Sequence, residues 1–144
     1  MANLEVSTQT AEDFADALES IHIISITGGN ADSIIAGLVK PIAQSLETPV
    51  TRMPIDWQEV SASLYTSAFW NQVRQAAQDG IVVLTQEGKL PALDDQIHFM
   101  RMLRGIYEMD NPKNAFVVIS EMAKIKHGRD ENGRVWHFAL KDQE

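Results

Sequence analysis

An apolar run that ends at two glycines and gives way at once to an amphipathic stretch admits few folds. Residues 21–26 (IHIISI) lead into Thr27-Gly28-Gly29, and beyond Asp32 the residues Ile34, Ile35, Leu38, Val39, Ile42 and Leu46 recur at helical spacing. This pattern is a strand, a tight glycine turn and a helix, the opening unit of an α/β fold. The run lacks the alternation of a strand with one wet face, so it is expected at the centre of its sheet. Asp32 stands where an N-cap belongs. Pro41 removes one N–H and crowds the carbonyl of Gly37, which predicts a kink or a break between two short helices.

The unit repeats along the chain. Before it, Thr10 to Asp13 has the composition of a helix start, with Phe14, Ala17, Leu18 and Ile21 on one face. After it come a second strand at 48–53 and a helix capped by Asp56, mostly continuous to Asp79 with a restart at Thr66-Ser67. Val60, Leu64, Phe69, Val73 and Ala76 mark that helix's buried side. A third strand follows at 81–84. The next helix has Pro91 in its first turn, Asp94 and Asp95 near its start, and Arg101 and Arg104 near its end. Leu93, Ile97, Met100, Leu103 and Tyr107 form its expected inner stripe. Asn111 to Asn114 is a turn and 115–119 (AFVVI) a fourth buried strand.

Right-handed crossovers between such strands give an α/β three-layer sandwich, a mainly parallel Rossmann-like or P-loop-like sheet with helices on both faces. In the tail, a turn at Asn132-Gly133 would make an antiparallel hairpin, with Trp136, Phe138 and Leu140 on the face of Ile125 and His137 turned opposite to His127. A helix over 136–141 is the alternative. One domain is expected over residues 1–144, with the polar residues 1–9 frayed.

Composition narrows the function classes. The chain is 44% hydrophobic and 22% charged, with net charge −8 and a pI near 4.9, and no run of Lys or Arg offers a patch for nucleic acid. It has no cysteine for disulfides or thiolate metal ligation. No stretch has the charge and hydropathy of a signal peptide or approaches the ~20 apolar residues of a membrane span. A cytoplasmic protein, bound neither to membrane nor to nucleic acid, is expected.

The chemistry of the first turn is incomplete. A P-loop requires G-x-x-x-x-G-K-[ST], whereas this chain has TGGNADS, with Asp32 before Ser33. The segment LTQEGKLP resembles the acidic turn of AAA-class ATPases, but Thr85 and Gln86 occupy the place of the magnesium-holding acid. ITGG, PIDW, DGIVVLTQEG and AFVVISEMA, in that order, resemble segments of short-chain dehydrogenase/reductases. That resemblance implies a cofactor loop T-G-x-x-x-G-x-G, in which Thr27 and Gly28 match while Asp32 and Ile34 replace the later glycines. It also implies a catalytic serine at Ser120, with His137-x-x-x-Lys141 in place of Tyr-x-x-x-Lys, so the usual proton donor is missing.

These departures favour a protein without catalytic residues, cofactor or metal: an interaction, assembly or regulatory protein on a nucleotide-binding-type fold, engaging a protein partner or its own copies. The surplus of Met and Trp points the same way. The alternative is a nucleotide- or phosphate-binding protein, conceivably an atypical NAD(P)-dependent oxidoreductase, whose binding residues would be Thr27, Gly28, Gly29 and Arg52, the last placed to read a 2′-phosphate. For His22, the tryptophans and the methionines, core packing is the default expectation.

Overall fold

The computed structural model describes residues 8–21, 23–28, 30–62, 68–120, 128–129 and 135–139. Its centre is the strand β1 (Ile23–Thr27), which pairs in parallel with β4 (Phe116–Ile119) on one side and β6 (Val135–Ala139) on the other. Strands β2 (Val50–Pro54) and β3 (Ile81–Thr85) extend the parallel sheet beyond β4. The two-residue β5 (Gly128–Arg129) closes the far edge against β6 in the one antiparallel pairing described, giving the order β2-β3-β4-β1-β6-β5. A run covered on both faces, as the sequence predicts, is what β1 is: residues 23–26 are fully buried.

The pleat sorts the strand side chains into two cores. Ile24, Ile26, Ile81, Val83, Val117 and Ile119 pack with α1 (Thr8–Ser20), α2 (Ala31–Ile34) and α3 (Lys40–Ser45). Ile23, Val82, Leu84, Phe116 and Val118 pack with α4 (Trp57–Ala62), α5 (Ala68–Asp79) and α6 (Leu93–Asp110). The connection leaving β1 and those leaving β2 and β3 run in opposite directions along the sheet, and right-handed crossovers therefore place their helices on opposite faces. The result is the expected three-layer sandwich.

Several local expectations need correction. Between α2 and α3, residues Ile35–Val39 form a π-helical turn in which the Lys40 N–H bonds to the Ile35 carbonyl. The wider turn brings Pro41 into the first positions of α3, so the missing N–H is absorbed, and the two short α-helices that the proline predicts are joined by this turn and not by a break. Pro91 lies outside α6, whose N-cap is Ala92, and its carbonyl accepts the Gln96 side chain at 2.8 Å. Arg101 and Arg104 are not in the last turn, because α6 runs on to Asp110 and stops at Asn111 in the left-handed conformation.

The inner stripe of α6 is only partly the predicted one: Leu103 is buried and Met100 and Tyr107 pack half-buried against the core. Phe99, Met102, Leu103 and Ile106 are buried, whereas Leu93 and Ile97 are 61% and 41% exposed. This helix is apolar on two sides, and the larger Phe99 takes the core, against Trp57 and Trp70. Trp70 is fully buried and Trp57 partly so, which assigns both to packing rather than to an exposed anchor.

At the C-terminus the antiparallel edge is present and 135–139 is a strand, not the alternative helix. Gly128 pairs with His137 and Arg129 with Trp136, the register expected of a hairpin folded about Asn132-Gly133, although the turn residues themselves lie outside the described ones. Residues 1–7, His22, Gly29, Leu64, Thr66-Ser67, Met122, Ile125, His127, Asn132-Gly133, Leu140 and Lys141, named in the sequence reading, lie outside the described residues.

Candidate functional site

In an open α/β sheet, ligands sit beyond the C-terminal ends of the strands, where connections leave in opposite directions. Here those ends are fixed by backbone bonds that outlast the strands: the Ser120 N–H donates to the Ile26 carbonyl at 3.1 Å and the Gln86 N–H to the Ile119 carbonyl at 3.0 Å. Above them opens a cleft of about 260 Å³ lined by Asn30, Ala31, Asp32, Arg52, Gln86 and Glu87. It is the junction of the β1 turn, the start of α2, the edge strand β2 and the loop after β3.

The turn itself has the geometry that its glycine allows. Gly28 adopts φ +87°, a conformation that side chains with a Cβ rarely take. Asn30, not Asp32, is the N-cap: its side-chain oxygen accepts the Ser33 N–H at 3.3 Å. The helix starts two residues earlier than the sequence suggested, so Asp32 falls inside the first turn, where its carboxylate still meets the positive end of the helix but is directed outward.

There Asp32 forms an ion pair with Arg52. Arg52 lies in mid-strand, opposite Val83 and thus on the α2 side of the sheet. In the dinucleotide-binding order 3-2-1-4-5-6, β2 adjoins β1. In this protein β3 and β4 stand between them, and the Arg52 side chain meets the start of α2 through Asp32. Both partners face water, at 42% and 77% side-chain exposure.

Glu87 adds a second carboxylate and accepts the Thr85 hydroxyl at 3.4 Å, while the Gln86 side chain folds back to donate to the Gly88 carbonyl at 3.0 Å. The lining thus holds two carboxylates and one guanidinium. Of the residues named from sequence, Arg52 lines the cleft, Thr27 and Gly28 lead into it, and Gly29 lies outside the described residues. Asn30, Gln86 and Glu87 were missed as lining. Their only sequence signal is position: each lies just beyond the end of an apolar run, where α/β loops gather. Ser120 is buried at the end of β4, and His137 belongs to strand β6, whereas Tyr-x-x-x-Lys pairing needs helical i, i+4 spacing. Among the described residues no cluster of three or more potential metal ligands occurs, and no helix is long and apolar enough to cross a membrane.

No protein-family model and no curated protein matches the chain. Among solved structures, it is similar to a replication initiator DnaA bound to AMPPCP and single-stranded DNA, at 12% identity and a TM-score of 0.44 over 92% of this chain. A DNA replication initiation factor gives 14% identity and a TM-score of 0.43 over 90%. A HORMA:CdnC:Trip13 complex of E. coli MS115-1 gives the same three values. The chain spans 44% of the first two chains and 51% of the third. At these values no residue role or activity carries over.

Proposed function

We propose that this protein is a non-catalytic interaction, assembly or regulatory module on a nucleotide-binding-type fold, in which an internal ion pair occupies the place of a phosphate. The observation that carries the reading is the Asp32–Arg52 pair across the cleft. Arg52 is the cation best placed to receive an anion, and it is already engaged. Releasing it is cheap, because exposed pairs contribute about 0–1 kcal/mol. The neighbouring carboxylates matter more: a phosphate oxygen within ~4 Å of Asp32 meets repulsion of roughly 1 kcal/mol in water, rising to about 4 kcal/mol at an effective dielectric of 20. Glu87, on the same cleft, adds to it.

The second reading is a nucleotide- or phosphate-binding protein using Thr27, Gly28, Gly29 and Arg52, and the left-handed Gly28 before α2 is the observation in its favour. Titration calorimetry with NAD, NADP and ATP separates the two. The expected outcome is no saturable heat at millimolar ligand. Micromolar affinity that disappears in Gly28→Val would establish a working cofactor turn and overturn the proposal.

A further inference from the structure

Among the described residues, the second apolar side of α6 is left exposed. Leu93 and Ile97, one helical turn apart, are exposed together with Asp94 and Arg101, and all four fall on the outer half of the helix. Neither Asp94 nor Arg101 belongs to an ion pair among the described residues. The charges are ordered along the axis, with Asp94 toward the N-terminus and Arg101 two turns further on.

A helix with acid at one end of an apolar stripe and base at the other is complementary to itself when turned around. A twofold axis crossing α6 near Ile97 brings the Asp94 carboxylate of one copy opposite the Arg101 guanidinium of the other, twice by symmetry. The two Ile97 side chains then meet at the axis, and each Leu93 lies on the aliphatic stem of the opposing Arg101. A parallel arrangement would set acid against acid and base against base. With 18 residues the helix is ~27 Å long, enough for both ion pairs and the stripe between them.

We infer that α6 is a self-association surface and that its occupant is α6 of a second copy, packed antiparallel about a twofold axis. The inference rests on the interaction reading above and names the partner. One helix pair buries less than the ~1,600 Å² of a standard interface, and each copy carries a net charge of −8, so the dimer is weak and concentration-dependent.

Sedimentation equilibrium on the full chain, from micromolar to millimolar, tests this. The wild type is expected to pass from monomer to dimer across that range. Ile97→Glu should weaken association at least tenfold, as should Asp94→Arg and Arg101→Asp singly, since each sets like charges face to face. The double variant Asp94→Arg/Arg101→Asp should recover most of the loss, because only the antiparallel pairing restores opposite charges. All three substituted sites are exposed, and circular dichroism with thermal melting confirms that each variant is folded. A monomer at every concentration overturns the inference, as does a dimer indifferent to Ile97→Glu or a double swap that fails to rescue. None of these results involves nucleotide, so they leave the calorimetric test of the cleft intact.

Discussion

The two ends of the sheet use the same residue types to opposite effect. Where the strands begin, Gly80 sits against Pro49 so closely that an added Cβ would lie 2.3 Å from the Pro49 carbonyl oxygen. On the α5–α6 face, Arg74 grips Asp110 at the last residue of α6 through two bonds of 2.9 and 2.8 Å. Where the strands end, Gly28 is required for its left-handed backbone, and the Asp32–Arg52 pair stands in water over an open cleft. Glycine at one end makes room and at the other makes a turn. The Asp–Arg pair at one end staples two helices, its Asp110 side chain only 12% exposed, and at the other lines a surface. The two pairs thus differ in burial, with Asp110 held between two helices and Asp32 standing in water.

The largest effect expected from this contrast is that of Gly80→Ala. A Cβ at that position has to displace the Pro49 carbonyl, which also accepts the Ile81 N–H at 3.0 Å and so forms the first rung between β2 and β3. Overpacking of this kind costs about 1–3 kcal/mol. Urea unfolding should register it as a lowered midpoint with unchanged slope; a midpoint within error of the wild type would show that β2 can shift freely.

Next comes Asp110→Asn, which removes a bidentate charge-assisted pair worth about 1–2 kcal/mol at this degree of burial. Hydrogen bonding from Arg74 holds the Asp110 carboxyl below the usual carboxylate range, with the charge of Arg74 assisting and burial opposing. A depressed pKa means that the unfolded chain takes up this proton first as pH falls. The stabilisation is thus complete above the unfolded value of about 3.9 and is lost as pH drops through the folded one. The stability difference between wild type and Asp110→Asn should therefore be full at pH 7 and shrink steadily below about pH 4. A difference that persists at low pH would mean that packing, not charge, holds the staple.

The smallest effect belongs to the open end. Asp32→Ala should change stability by about 1 kcal/mol or less, since the pair is exposed and Asn30 retains the helix cap. A loss approaching that of Asp110→Asn would erase the distinction between the two ends.

Much of the architecture is legible in the linear chain because the period of apolar residues is a local property. Three buried runs and one edge strand alternating with amphipathic stretches dictate a layered parallel sheet, and Gly28 after the first run and Asp56 before the fourth helix dictate a turn and a cap. Asp56 does accept the Glu59 N–H, at 3.2 Å. Which of two apolar stripes on α6 turns inward is not local. It depends on the room beside Trp57 and Trp70, which residues far along the chain supply, and so Phe99 is buried and Ile97 exposed. The cleft is decided in the same way. Asp32 and Arg52 are twenty residues apart, and nothing in the sequence between them announces their contact. It follows from strand order, which places β2 at the sheet edge with Arg52 on the α2 side, and from the two-residue shift of the helix start that turns Asp32 from a cap into a partner.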